Sequence, residues 1–407
     1  MTNYDPLCYP DDISTMLLHA DKLDNVQLHF SPRMRDQGET SVVLSQFFRK
    51  LVMAKKQLKI SRMGVYNLLA SMDPTECLSA IDTTACRYFT ALNSFGLDED
   101  KFTATSNATY FIDRTWLVPV DQVDEPKPKL VRVDQLHKRH AFDLQRAAGL
   151  EYLYLVNARH KPEGVNGSSA LSTPTSRDAS PRPPSAIGSG SSGSRSSRTT
   201  PTPSTSLRDL YMDNICNVCG PTLKHLILPS RWPLPQTTVA RLIRSAPNLT
   251  QLSAALVCID LHVSRMLFPF LTKLYAVRLL SPTQEGAEGR KMQCIFEKFV
   301  ETDDDYHAEE LSQELAETTS DGGKSDFPYL RYVGIGHKVW EIGGLIEEPV
   351  EIHVADETRT RDDVTWDAQS ENGAPRQELQ RKRRVTRIEE EDVKHVEIWK
   401  MDSLDVI

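Results

Sequence analysis

No run of about 18 consecutive apolar residues occurs in the sequence, which excludes an ordinary transmembrane helix. The opening residues, MTNYDPLCYPDDISTMLL, have no basic segment followed by an apolar one, so no secretory leader is expected. Aromatic residues make up only 7% and apolar residues 39%, below the globular norm, so long polar stretches must lie outside any core. Positive charge is also short. The net charge of −8 argues against nucleic acid as the main partner, because phosphate binding needs a basic face. The seven cysteines are odd in number and scattered, which fits a reduced thiol set in the cytoplasm and/or nucleus rather than a disulfide framework. Catalytic signatures are missing too. There is no Gly-x-Ser-x-Gly elbow in foldable sequence, no complete Gly-x-x-x-x-Gly-Lys-Ser/Thr phosphate loop, and no HExxH among 11 histidines. The expectation is a non-enzymatic protein with no cofactor and no membrane partner; an active site assembled from distant residues is the reading from another class.

What is present divides the chain into four parts. Residues 161–206 read PEGVNGSSALSTPTSRDASPRPPSAIGSGSSGSRSSRTTPTPSTS from Pro162 on, too poor in apolar side chains to offset the entropy of ordering, and are expected to be a disordered Ser/Pro/Gly-rich linker. Before it, 1–160 is foldable; after it, 207–355 is foldable; 356–407 is a charged, partly disordered tail with a final strand or helix. The acidic stretch Asp303, Asp304, Asp305, the segment Thr319 to Ser325, and the run from about Asp356 to Arg384 read as loops.

One pattern then recurs in the third part: Pro, any residue, Leu, two residues, Leu or Val. The copies begin at Pro221, Pro247, Pro269 and Pro328 and place Leu223/Leu226, Leu249/Leu252, Leu271/Leu274 and Leu330/Val333. The first two intervals fall in the roughly 20–29-residue period of leucine-rich repeats. Apolar stripes at helical spacing precede the prolines: Val239, Leu242, Ile243, Ala246, then Val263, Met266, Leu267, Phe270, and a third at Met292, Ile295, Phe296, Phe299. Each proline stops a helix, and the next residues alternate as a short strand, with Leu223, Leu226 and Leu228 inward and Lys224, His225 and Ile227 outward. Weaker copies lie upstream at Leu23/Val26/Leu28 and Leu150/Leu153/Leu155, with a helical stripe at Val43, Leu44, Phe47, Phe48 and Leu51 leading to Leu58 and Ile60. Such a unit cannot bury its own apolar edge, so neighbours must stack. The expected fold is an α/β leucine-rich-repeat solenoid, a horseshoe carrying one long disordered insertion.

Irregular Leu-x-x-Leu-x-Leu strands beside Cys-bearing helices, as in ICNVCGPTLKHLIL, together with the Ser/Pro insertion and the tail VKHVEIWKMDSLDVI, resemble the leucine-rich-repeat portion of fungal F-box-type proteins. That resemblance implies an N-terminal F-box docked on a cullin–RING ubiquitin ligase, with the repeats capturing the substrate protein. An F-box would open on a Leu-Pro-x-Glu-like segment, and none precedes Leu23.

The functional candidates are the strand-facing residues between the leucines: Glu151, Tyr152, Tyr154, Lys224, His225, Thr250, Gln251, Thr272, Lys273, Tyr275, Arg331 and Tyr332. Tyr and Arg dominate interface hot spots, so this concave face is expected to hold a protein partner; the alternative is a solvated face without one. Cys216-Asn-Val-Cys219 lacks further ligands at zinc spacing and reads as two packed thiols. Gly334, Gly336, Gly343 and Gly344 read as turn glycines. Arg381, Lys382, Arg383 and Arg384 form either a nuclear import signal or a helix face neutralised by Glu389, Glu390, Glu391 and Asp392. Thr173, Ser180, Thr200 and Thr202 each precede proline in the linker and are candidate phosphorylation sites. The functional expectation is an adaptor, the substrate-recognition part of an F-box-type receptor, with a repeat scaffold unrelated to ubiquitin ligases as the alternative.

Overall fold

The computed structural model describes residues 2–4, 9–29, 42–43, 45–66, 70–71, 80–82, 84–92, 128–136, 141, 144–159, 206–257, 270–282, 304–317, 329–352 and 376–403. The strands are β1 (Thr2–Tyr4), β2 (Asn25–His29), β3 (Val42–Val43), β4 (Arg62–Tyr66), β5 (Ala70–Ser71), β6 (Tyr88–Leu92), β7 (Leu130–Gln135), β8 (Tyr152–Arg159), β9 (His225–Ile227), β10 (Gln251–Ala255), β11 (Ala276–Leu280), β12 (Tyr332–Ile335), β13 (Lys338–Ile352) and β14 (Arg376–Ile388). The helices are α1 (Pro10–His19), α2 (Ser45–Met53), α3 (Leu207–Asn214), α4 (Gln236–Ser245), α5 (Asp304–Glu317) and α6 (Glu397–Lys400).

Twelve strands form one open mixed sheet in the order β1-β2-β4-β6-β7-β8-β9-β10-β11-β12-β13-β14, which is chain order; β3 and β5 pair separately. Every pair from β1 to β12 is parallel, and the last two, β12–β13 and β13–β14, are antiparallel. A single backbone device joins the units. The carbonyls of Asp24, Ser61, Arg87, Lys129, Glu151, Lys224, Thr250 and Tyr275 each accept two N–H groups from the start of the next strand, at 2.7–3.2 Å. A carbonyl has two lone pairs, so both lone pairs are used at each step and the strands are held in one register.

Register aligns side chains into rows, because alternate residues of a strand point to opposite faces. Val26, Met63, Phe89, Val131, Leu153, Leu226, Leu252, Val277 and Val333 form one row, and Leu28, Val65, Ala91, Val133 and Leu155 lie in the next row on the same face, as do Ala254, Leu279 and Ile335 further along. All are buried in one core with the helices. Three positions before the first row, Ile60, Cys86, Leu150, Leu223, Leu249, Leu274 and Leu330 are buried there as well.

The helices follow from local sequence. Pro10 and the acidic Asp11 and Asp12 suit the first turn of α1, with His19 in its last. Phe47, Phe48 and Leu51 bury one face of α2, and its Lys50 N–H donates to Ser14 Oγ of α1 at 3.0 Å. Ser206 caps α3 by accepting from Asp209 N–H at 3.1 Å. Val239, Leu242 and Ile243 are the buried stripe of α4, and Leu249 and Leu252 follow as the expected strand start.

Several expectations are corrected. Asp304 and Asp305 begin α5 instead of a loop: Leu311 and Ser312 are buried, and Ser312 Oγ donates to Arg383 O of β14 at 2.7 Å. Residues 376–384 are strand, not loop or helix face. Arg381, Lys382 and Arg383 pair with Glu347, Ile346 and Leu345 of β13, beyond a register shift that spans Gly343 and Gly344; Arg384 lies in the same strand. Ile227 does not face solvent but is fully buried on the other side of the sheet. Gly336 is a turn glycine at φ +61°, whereas Gly334 lies within β12. The linker with Thr173, Ser180, Thr200 and Thr202 lies outside the described residues, as do Val263, Met266 and Leu267 and the stripe from Met292 to Phe299. Among the described residues no helix is long and apolar enough to cross a membrane.

Candidate interaction face

The sheet face opposite α1–α5 divides in two. Over β2, β4 and β6 it presents Asn25 and Gln27, Arg62, and Tyr88 and Thr90; Arg62 is exposed and its guanidinium lies 5.0 Å from the centre of the Tyr88 ring. At the far end of these strands His29 stacks on Tyr66 with ring centres 4.2 Å apart, and burial lowers the pKa of His29.

From β7 to β12 the face is covered by the chain's own C-terminal segment. The acidic run after β14 makes a short turn, Glu390–Val393, opened by a reciprocal capping box between Glu389 and Asp392, and α6 follows. Val393, Val396, Ile398 and Trp399 pack with Tyr154, Ile227, Ala276, Tyr332 and Val339 in a second core. Polar contacts fix the path. Ile398 N–H donates to Gln251 Oε1 at 3.0 Å. Arg132 of β7 donates to the carbonyls of Met401, at 3.1 Å, and Ser403. Arg278 of β11 meets Asp402 at 2.9 Å and Glu390 at 3.2 Å, and its guanidinium lies 5.9 Å from the Trp399 ring centre. Burial pushes the Asp402 carboxyl up, with Arg278 pulling the other way, and lowers the Arg132 guanidinium, which is 2% exposed. Gly334 makes room for the indole: a Cβ there would sit 2.7 Å from Trp399 Cζ2.

The twelve sequence-predicted residues fall into three groups. Tyr152, Tyr154, His225, Gln251 and Tyr332 lie on this face, but Tyr154, Gln251 and Tyr332 are buried. Glu151, Lys224, Thr250, Tyr275 and Arg331 occupy the row just before the strands; Glu151 joins Lys129 at 3.0 Å and Lys224 at 2.7 Å, and Arg331 meets Glu341 at 3.0 Å. Thr272 and Lys273 are exposed in the turn before β11, where Lys273 donates to Asn248 at 2.6 Å. Sequence reasoning missed Arg132, Arg278, Gly334 and the covering segment. An arginine at the third strand position, between two inward apolar residues, was the available signal for Arg132 and Arg278.

The buried Tyr154 and the half-buried His225 form a hydrogen-bonded pair, Oη to Nδ1 2.9 Å. Burial, then Lys224, pushes His225 down to about 4, and burial raises Tyr154 strongly. The sign follows from proton binding: between pH 6.5 and about 4 the unfolded chain binds the extra proton, so stability is full above this window and lost as pH falls through it. His225→Gln is expected to remove this slope, up to roughly 3 kcal/mol, from urea melts at pH 7 and 4.5; equal slopes in both chains would contradict it.

Cys216 and Cys219 lie buried in a wide helical turn continuing α3, Cys219 Sγ 3.8 Å from the Leu144 and Ala147 carbonyls. Burial raises both thiols, Cys219 to about 12, so neither is a thiolate at neutral pH. Among the described residues no three His, Cys, Asp or Glu side chains gather as metal ligands. No family model, curated protein or solved structure matches the chain.

Proposed function

We propose that the chain is a protein-interaction adaptor of the leucine-rich-repeat type, whose partner seats on β2, β4 and β6. The supporting observation is that strands follow chain order in one register, so the face opposite the helices is a continuous ladder with each row supplied by successive units. Helices about 10 Å wide stack against strands about 4.8 Å apart, which bends such an assembly with the sheet inside and makes that face concave. Over β2–β6 it offers an exposed arginine stacked on a tyrosine among short polar groups, the side-chain types that anchor protein interfaces.

The resemblance of ICNVCGPTLKHLIL and the tail to F-box-type receptors supports a ligase link as the finer form of this reading. Affinity purification of the full chain separates the two forms: a ligase subunit brings a cullin adaptor with it, and a free scaffold does not. Partners so recovered are then titrated against Arg62→Glu and Tyr88→Ala. Each substitution is expected to weaken binding by about tenfold or more, while Arg244→Glu on α4 leaves it unchanged. Partners held equally by all three variants would remove the proposed seat.

A further inference from the structure

The half of the face covered by the C-terminal segment shows which chemistry fits it. Two guanidiniums four strands apart, Arg132 and Arg278, lie in one row with Tyr154, Ile227 and Ser253 between them, and Ala276 and Tyr332 in the neighbouring row extend the apolar strip past Arg278. The strip ends in a notch at Gly334 shaped to an indole. Gln251 holds the occupant by its backbone N–H, which any residue but proline supplies. The occupant matches on each count: Ile398 and Trp399 fill the strip and notch, Asp402 meets Arg278, and the upstream Glu390 meets it too.

That occupant is also lightly held. α6 is a single turn of four residues. The buried Ser253 Oγ beneath the segment, and Trp399 Nε1 and Glu397 Oε2 within it, have no hydrogen-bond partner among the described residues. Burying polar atoms unpaired weakens the contact. The tether to β14 adds to these contacts an effective concentration on the order of millimolar.

We infer that β7–β12 form a docking groove for an unstructured segment of a partner protein, and that residues 389–403 are a placeholder which that segment displaces. The segment recognised carries Ile-Trp or a similar pair, a carboxylate three residues after the tryptophan, and acidic residues upstream. This rests on the interaction reading above but uses other strands, so its failure leaves the Arg62 and Tyr88 test standing.

The probe is a fluorescein-labelled peptide, IEEEDVKHVEIWKMDSLDVI, residues 388–407 of this chain, titrated against the full-length protein by anisotropy. Weakening the tethered competitor with Trp399→Ala and Asp402→Asn together is expected to tighten peptide binding by about tenfold or more over the unaltered chain. Adding Arg278→Glu should abolish the gain, and a peptide with alanine in place of the tryptophan should not bind. Should the double variant not fold, Asp402→Asn alone keeps the apolar contacts and must still show a gain of about threefold or more. No binding to a folded weakened chain overturns the inference, as does binding indifferent to Arg278→Glu. A concentration-dependent dimer of the weakened chain in sedimentation would make a second copy the occupant and overturn it equally.

Discussion

A carboxylate in place of Leu226 is expected to leave the chain without its fold. Leu226 is fully buried and lies in register between Leu153 and Leu252, at the centre of the row that joins the sheet to the helices. Removing its packing costs about 2–5 kcal/mol, judged from Leu→Ala changes in other cores. An unpaired buried carboxylate adds several more. The sum is comparable to the whole stability of a typical domain, about 5–15 kcal/mol. Leu226→Met, which keeps the volume, should cost less than about 1.5 kcal/mol. Circular dichroism with urea titration distinguishes them; a cooperative, nearly unchanged transition for Leu226→Asp would mean the row is not core.

The second large effect concerns the other face. In Gly334→Ala the new Cβ would lie 2.7 Å from Trp399 Cζ2, closer than carbon atoms approach, and Trp399 is buried in the same core as Ile398, Val396 and Tyr332. Either the strand or the C-terminal segment must move, at about 1–3 kcal/mol for overpacking. The expected mode is local: amides of residues 390–403 lose protection from hydrogen exchange while those of β9–β11 keep theirs. The coupling can be isolated. In a Trp399→Ala background the clash is gone and Arg278 Cγ, at 3.4 Å, is in ordinary contact with the Cβ, so the cost of Gly334→Ala should fall to within about 0.5 kcal/mol of zero. Equal costs in both backgrounds would show that the glycine serves the strand and not the indole.

The repeat was legible where leucine carried it. Leu223/Leu226/Leu228, Leu249/Leu252 and Leu330/Val333 are buried in the registers their spacing implied, and so are the copies at Leu23/Val26/Leu28 and Leu150/Leu153/Leu155, apart from a half-buried Leu23. The Leu271/Leu274 copy is not, because Leu274 takes the place of Leu223 and Leu249, and Val277 of the strand Ala276–Leu280 pairs with Leu252. The units around Met63/Val65, Phe89/Ala91 and Val131/Val133 were passed over because size and shape vary there while the rows need only apolar side chains. The face opposite the helices was misjudged for a different reason. A strand residue between two inward leucines reads as solvent-exposed, and Ile227 and Tyr154 would be so if nothing lay over them. The cover is Val393, Val396, Ile398 and Trp399, four apolar residues spaced among charges more than a hundred positions away, a pattern too short to announce a long-range contact. The β13–β14 hairpin was hidden by composition: RQELQRKRRVTRI looks like loop or helix until set against KVWEIGGLIEEPVEI, where Glu347 lies opposite Arg381 and Glu351 opposite Gln377.

Cross-linking tests chain-order stacking most directly. Tyr152 and His225 are register partners on β8 and β9, on either side of the long Ser/Pro/Gly-rich segment, and their rings meet edge-on at 4.8 Å. Parallel neighbours lie about 4.8 Å apart, within the Cα separation a disulfide spans. Tyr152→Cys with His225→Cys should oxidise to a disulfide found by peptide mass mapping, whereas Tyr152→Cys with Leu226→Cys, one residue out of register and on opposite faces, should not. A missing bond in the first pair, or equal bonding in both, would contradict the stacked arrangement and the interaction face built on it.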